Sequence, residues 1–594
     1  METVLVENGQ KRLWRALLAA TAIVALALMR MPSAGAAPQP AGTPNVLTVN
    51  TVEDSDDGVC APLTALTDCT LREAINAANL SPGTISFDLP GAAPHTIDVL
   101  SALPDIGSGV VVDGTTQPDF AGHPVVELVG PGGDQAFNGL RLLNAQGSTV
   151  RGLVLGQFGY AIVVQGGSGN RVEGNYVGTD STGTEARRNV VGVKVTSADD
   201  TVIGGTAAGA GNVISGNLFG IATGITSQFS PYSNGTQIEG NLIGTDATGT
   251  RALGNGSGLQ ISGDDGVTIG GSSAAAGNVI SANNYGLTLG YSSSVVQSNL
   301  IGTDATGTIA LGNTQAGIAI GGSPTSVPSS MIGGRAGTGA NTIANNGAGI
   351  LVSSPANASI LSNSIYGNGP TELGIDLVEN RRGVTVNDHG DADDGANGLQ
   401  NYPDISSVRP AGTGTVVDGT LDSHPSSTYL VQLFANPTCH SSGHGEGKRY
   451  LGEVDVTTDA DGSASFSDTL TFALAASDVV TATATDAAGN TSEFSACAQL
   501  QNQPPRADAG PDQTVDSSAD FFLDAAASSD PDGQPLTYQW EQIGGPAAVI
   551  ADPRSARTQV KGVTGAATLT FRLTVTDASG ATGTDDITVS VRPK

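Results

Sequence analysis

Three sets of aspartates in this chain are spaced in ways that could do chemistry. The pairs Asp199-Asp200 ("SADDTVIGG") and Asp264-Asp265 ("SGDDGVTIGG") offer the two carboxyls that glycoside hydrolysis needs across one groove. The run "NDHGDADDGAN" (387–397) gathers Asp388, Asp391, Asp393 and Asp394 into seven residues, with Gly390 and Gly395 allowing a tight loop. Hard carboxylate oxygens at that density suit Ca2+, though the run misses the EF-hand register, which wants Gly at the sixth position and a closing Glu. Asp180, Asp246 and Asp304 recur in near-identical words: "GNYVGTDSTGTEARRN", "GNLIGTDATGTRALGN" and "SNLIGTDATGTIALGN".

Each set also has a plainer reading. A catalytic constellation is unique in a chain while a corner recurs, so the repeated Asp-Asp pairs read first as turn formers. The acidic run doubles as a solvated loop between domains. In "DATG" Asp stands first and Gly fourth, the order a type I turn prefers. The basic residues Arg141, Arg151, Arg171, Lys194, Arg251 and Arg335 look scattered, with no tight cluster beside acids.

The elements that must position these residues are short strands. The chain has 594 residues, too many for one ordinary domain, and 82 glycines, yet 39% of it is hydrophobic. Those apolar residues are mostly Val, Ile and Leu in short runs, which favours many short strands over a flexible polymer. A net charge of −31 leaves no basic stripe to neutralise phosphates, so nucleic acid is excluded as a partner. The N-terminus carries Lys11, Arg12 and Arg15, an apolar run from Ala16 to Met29, then "SAGAA" (33–37), which together read as a secretory signal over 1–36. That run is short for a bilayer and no second one of spanning length follows, so the mature chain is expected to lack a spanning segment. Four cysteines fit an oxidising compartment, and local pairing of Cys60 with Cys69 and Cys439 with Cys497 is the simplest of three connectivities.

From about residue 100 to 370 the sequence repeats itself. "AGNVISGN" (210–217) returns as "AGNVISAN" (276–283) and loosely as "GANTIANN" (339–346), at intervals of 66 and 63 residues. Comparable strands return every 19 to 23 residues (Ile238, Ile261, Ile280, Ile301, Ile320), which reads as one lap of a parallel β-helix and about three laps per long repeat. Gly-Asn dipeptides supply the corners, where left-handed backbone is needed. On that reading Asp180, Asp246 and Asp304 stand about 14 Å apart, too far to share one ion. "CTLREAINAAN" (69–79) reads as a capping helix for the open end, with Thr70 and Glu73 forming a capping box.

"DCTLREAINAAN", "IGTDATGTxALGN" and "GNVISGN" together resemble the CSLREAI-type repeat proteins, secreted bacterial right-handed parallel β-helices, over roughly 47–403. That resemblance implies fold and export, with no single catalytic activity. Polygalacturonase-like helices carry Gly-His-Gly and Arg-Ile-Lys in the coil. Here the only Gly-His-Gly, Gly443 to Gly445, lies later, and the coils from 100 to 370 hold one histidine, His123. "DVVTATATDAAGNTSEFS" (478–495) resembles the closing strands of bacterial Ig-like modules. "SSDPDGQPLTYQWEQIGGP" (528–546) through 591 resembles polycystic kidney disease (PKD) domains, with Trp540 as the core aromatic and Asp530 and Asp532 as turn formers.

The sequence therefore predicts an all-β, exported protein in five parts: signal peptide 1–36, linker 37–46, capped parallel β-helix 47–403, Ig-like sandwich 404–500, and linker with PKD-like sandwich 501–594. Its expected role is non-enzymatic binding or adhesion, secreted or at the cell surface, presenting a β-helix face to polysaccharide or a partner surface. The alternatives are a polysaccharide lyase or glycoside hydrolase working in a groove of the helix, and a structural stalk. No cofactor is expected beyond Ca2+ at the acidic run.

Overall fold

The computed structural model describes residues 45–593, apart from 59, 61–67, 134–135, 225–232, 323–328, 380, 412–413, 472–473, 476 and 562. The expected signal segment lies outside the described residues. Among those described, no helix is long and apolar enough to cross a membrane.

Residues 46–378 wind into a parallel β-helix. Its three long faces are all-parallel sheets of 11, 10 and 9 strands, and each lap adds one strand to each sheet in turn. Inside, like stacks on like. In the first sheet Val150, Val172, Ile203, Ile238, Ile269, Val296, Ile332 and Ile360 occupy one register column, all essentially without solvent exposure. β-Branched side chains suit this position because their restricted χ1 packs well on a pleated surface. Burying each contributes about 2 kcal/mol of hydrophobic free energy.

The corners are held by asparagines. In one ladder, beginning at Asn175, the side chains of Asn212, Asn241, Asn278, Asn299, Asn341 and Asn363 each accept the backbone N–H of the asparagine one lap before. A second ladder runs Asn189, Asn217, Asn255, Asn283, Asn313, Asn346 and Asn368. Their side-chain amides also satisfy strand-end carbonyls, for example Asn255 Nδ2 donating to Ile214 O at 2.9 Å. Buried backbone groups at a corner would otherwise lack partners.

These ladders correct the lap length. Successive corner asparagines are 37, 29, 37, 21, 42 and 22 residues apart. Asn212 to Asn278 is thus two laps, where the sequence suggested about three. The cause is visible in the strands used as markers: Ile238 lies in the first sheet, Ile261 and Ile320 in the third, and Ile280 and Ile301 in the second. The 19-to-23-residue spacing stepped between faces, and loops inserted at alternate corners lengthen some laps.

Both ends are closed. At the N-terminal end the helix Leu71–Leu80 turns Leu71, Ala74, Ile75 and Ala78 onto the first coil. Thr70 Oγ1 accepts the Glu73 N–H at 3.3 Å and Glu73 Oε2 accepts the Thr70 N–H at 2.9 Å, completing a capping box. Cys60 and Cys69 are disulfide-bonded just before it.

At the other end sits an antiparallel sandwich of three strands (Asp404–Ala411, Gly414–Asp422, Ser463–Leu470) on four (Arg449–Thr457, Thr428–Asn436, Val479–Thr485, Ala498–Gln499). It is more than an appendage. Phe434 and Phe494 join the same apolar core as the coils. Ile365 and Gly447 exchange backbone hydrogen bonds at 2.9 Å. Glu446 Oε1 accepts the Asn368 N–H at 3.2 Å and its side-chain amide at 2.9 Å, closing one asparagine ladder. Cys439 and Cys497 are bonded within this sandwich. A second sandwich follows with its own core, in which Trp540 is almost fully buried.

Candidate functional site

The outward side chains of the first sheet gather charges that the sequence leaves far apart. Inward Val112, Val150 and Val172 alternate with outward neighbours, so register places Asp113 beside Arg151 and Arg151 beside Glu173. Gly204 and Glu239, paired in register, continue the row. Arg151 Nη2 lies 2.6 Å from Asp113 Oδ2 and its Nη1 3.7 Å from Glu173 Oε1. Arg171 Nε closes on Glu173 Oε2 at 3.0 Å. Gly204 keeps the row open: its φ is +93°, and a Cβ there would run into the Glu239 carbonyl.

Two loops wall this row into a groove of about 920 Å3, one reaching from Thr115 to Pro124 and the other from Gly205 to Asn212. Arg151, Arg171, Glu173, Glu239, Phe120 and Tyr176 line it. Burial pushes the Asp113 carboxyl up, but hydrogen bonds from Arg151 and Thr115 outweigh it and hold the group below the usual carboxylate range. The hydrogen bond to Asp113 raises Arg151 in turn. A glycosidase needs a carboxyl that keeps its proton near neutral pH, and Asp113 is held ionised instead. A lyase needs a free base, and both arginines are tied to carboxylates. What remains is a set of fixed donors and acceptors with aromatic walls, suited to holding hydroxyl- or carboxylate-bearing ligands. The separate appearance of Arg151 and Arg171 in the sequence is thereby corrected, since pairing of laps brings them to one place.

The Asp-Asp pairs lie elsewhere. Asp199, Asn234 and Asp265 form a corner row, joined by Asp199 Oδ1 accepting the Asn234 N–H at 3.0 Å and by an Asn234–Asp265 bridge. Asp200 takes a left-handed φ of +49°. Asp264 is completely buried; its Oδ1 accepts the Ser233 N–H at 3.1 Å, and Oδ2 has no hydrogen-bond partner among the described residues. Burial raises its carboxyl above the usual range. None of the four lines the groove.

Asp180, Asp246 and Asp304 each fold their own loop. Asp246 Oδ1 accepts the Thr248 hydroxyl at 2.8 Å and the Thr250 and Arg251 N–H groups at 3.1 and 3.2 Å, and Gly249 N–H closes the turn on Asp246 O at 2.9 Å. Asp180 and Asp304 repeat the pattern. These loops also touch: Ala247 N–H donates to Gly183 O at 3.0 Å and Ala305 N–H to Gly249 O at 2.9 Å.

In the acidic run, oxygens of Asp388, Asp391 and Asp393 lie within 4.8 Å of one another, a group that does not include Asp394. Asp391 accepts the Asn401 N–H at 3.0 Å and the Ser423 hydroxyl at 2.7 Å, and Asp388 accepts the Ala392 N–H at 3.1 Å. Burial raises Asp391, and burial together with the charges of Asp388 and Asp391 raises Asp393. Carboxylate oxygens with a lone pair to spare fit a hard dication, which would relieve that repulsion. Asp530 Oδ1 accepts the Asp532 and Gln534 N–H groups at 2.9 and 3.0 Å, a local turn.

Comparison with known proteins bears on the last sandwich. Residues 509–591 match a family described as a PKD domain of the KIAA0319-like kind. A curated relative, "Dyslexia-associated protein KIAA0319 homolog" of Rattus norvegicus, is 40% identical over 94 residues, which are 15% of this chain and 8% of that protein. The chain therefore spans only a small part of the relative's length. Among solved structures, the PKD domain from KIAA 1837 protein is 29% identical, covering 16% of this chain and 92% of that one with a TM-score of 0.14. The Clostridium thermocellum CbhA fibronectin(III)-like modules are 16% identical, covering 32% of this chain and 94% of theirs with a TM-score of 0.16. The described chain is thus an all-β protein of parallel-sheet coils and antiparallel sandwiches, the last of them a PKD domain.

Proposed function

We propose that the protein is an exported, non-enzymatic binding or adhesion protein of the cell surface or exterior, holding polysaccharide against faces of its β-helix. The observation that carries this reading is the walled row Asp113, Arg151, Glu173 and Glu239, whose charges are paired and fixed. Two disulfides and a PKD domain support an extracellular setting. The residues 388, 391 and 393 are proposed to take Ca2+ at the join between coils and sandwich, as a structural ion. A panel of acidic and neutral glycans tests the binding role: retention of the full chain on at least one class is expected, and retention on none removes the reading. A polysaccharide-cleaving enzyme is the competing reading, favoured by carboxylates two laps apart in the groove. It requires new reducing or unsaturated ends from a glycan and their loss in Glu173→Gln. A purely structural stalk would show neither binding nor cleavage.

A further inference from the structure

The third sheet carries, on its outer side, a column of aromatic rings at alternate laps. Register runs Tyr160 to Val191, Val191 to Phe219, Phe219 to Ser257, Ser257 to Tyr285, and Tyr285 to Ala316. Every second position is aromatic and every position between is smaller: Val191, Ser257 and Ala316. These rings do not belong to the interior, which on this sheet is filled by Ile162, Val193, Ile221, Leu259, Leu287 and Ile318. Tyr160 is 42% exposed, Phe219 and Tyr285 are half-buried, and Tyr285 packs against an outer apolar cluster of Ala316, Ala348 and Leu351 separate from the core.

Adjacent laps are spaced like paired strands, so rings at alternate laps recur about every 9.5 Å along the solenoid. That interval matches two hexose units of an extended β-1,4-linked chain, in which alternate sugars present the same face. The C–H face of a pyranose is apolar and stacks on aromatic rings, while its hydroxyls need neutral donors and acceptors beside them. Gln165, Thr196, Gln260, Ser262 and Thr288 occupy strand positions of the same sheet that reach solvent. The cations of this sheet are already engaged: Arg141 with Asp105, and Lys194 donating to the Gly224 carbonyl at 2.5 Å. An acidic glycan would therefore find no free positive charge from them.

We infer that the Tyr160–Phe219–Tyr285 column is a stacking platform for a neutral, extended β-1,4-linked glycan lying parallel to the solenoid axis. The inference rests on the proposed polysaccharide-binding role and names the glycan class and the face.

A length series tests it. The full chain is titrated calorimetrically with cello-oligosaccharides of two to six units, with maltohexaose as the bent α-linked control. Three units reach two rings and five units reach all three, so affinity should step up about tenfold at the third unit and again at the fifth, with little gain at the fourth and sixth. Tyr160→Ala or Tyr285→Ala should remove the step at the fifth unit alone. Phe219→Ala should leave a single step, moved to the fifth. Arg151→Ala, in the groove of the other sheet, should change neither. A smooth length dependence, equal binding of maltohexaose, or no binding of any cello-oligosaccharide overturns the inference. The wild-type series decides this even if a ring variant fails to fold. Binding of an acidic glycan that Arg151→Ala abolishes, without the steps, sinks the aromatic platform and leaves the binding role standing.

Discussion

At the scale of single residues, the chemistry that sequence spacing suggested and the chemistry that register assembles are different. Asp199, Asp200, Asp264 and Asp265 are conspicuous as words, yet Asp199 bonds to the next lap's corner and Asp264 is walled in. Asp113, Arg151 and Glu173 carry no such signal, because Arg151 meets an acid 38 residues away only once the laps are paired. A sharper signal was hidden in the sandwich. Glu493, buried where it accepts the Leu377 and Thr385 N–H groups at 3.0 and 2.9 Å, is pushed up to about 7 by burial, and Asp376 beside it to about 6. A carboxyl raised in the folded state keeps a proton that the unfolded chain has already lost. Its contribution is complete below the unfolded value, about 4.3, and is lost as pH rises through the folded value, so this group destabilises the fold progressively over that window. Glu493→Gln removes that slope. It also turns one amide N–H against a backbone N–H, a fixed cost independent of pH. The stability of the variant relative to wild type should therefore improve by up to about 3 kcal/mol between pH 4.5 and pH 8. Melting curves of both proteins across that range check it, and a difference that stays constant with pH rules it out.

At the scale of elements, the repeats were legible and the winding was not. Gly-Asn corners, the alternating strands and the capping helix at Thr70 are local patterns, and local patterns survive in one dimension. Lap length depends on which strands share a sheet, and Ile238 and Ile261 look alike whether they lie one above the other or on neighbouring faces. The asparagines settle this because each is bonded to the equivalent residue of the next lap. The Asp180, Asp246 and Asp304 loops follow from it: they are two laps apart, and they touch because they project from the coil and lean on one another. Gly183 shows how closely, since a Cβ there would collide with the Ala247 side chain. The ladder makes a stability prediction. Asn255 Oδ1 accepts the Asn217 N–H and side-chain amide at 2.9 and 3.1 Å, and its own amide donates to Ile214 O and Asn283 Oδ1, both at 2.9 Å. Asn255→Ala leaves several buried groups unpaired in both neighbouring laps, and should cost about 3 kcal/mol in denaturant melts. Asn284→Ala, one residue beyond the next corner and exposed, should change stability by less than about 0.5 kcal/mol. Equal effects at the two positions would mean that the ladder is incidental.

At the scale of the whole molecule, the sandwich that follows the coils is a lid on them. The composition change near 403 marks where coil words stop, but nothing in "TYLVQLFANP" or "TSEFS" announces that Gln432, Thr491 and Glu493 bond to the last coils. Gln432 Oε1 accepts the Ser362 N–H at 2.9 Å, and Thr491 Oγ1 accepts the Ile360 N–H at 2.9 Å. With Ile365–Gly447 and Asn368–Glu446, these contacts satisfy the end of the final lap group by group. An open end would instead present unpaired N–H and C=O groups and the apolar floor under Phe434 and Phe494, a template for a second chain. The PKD domain stands differently: its core is its own, and the tie from the linker to the first sandwich is Gln503 Nε2 donating to Pro410 O at 3.2 Å. Two truncations separate these roles. Removing 501–594 should leave a monomer whose coil melting is nearly unchanged. Removing 404–594 should uncover the last lap and yield dimers and larger species by light scattering, with a lower melting temperature for what stays monomeric. The second truncation is the decisive one, because a stable monomer without residues 404–594 would show that the coils end themselves and that the sandwich only rests against them.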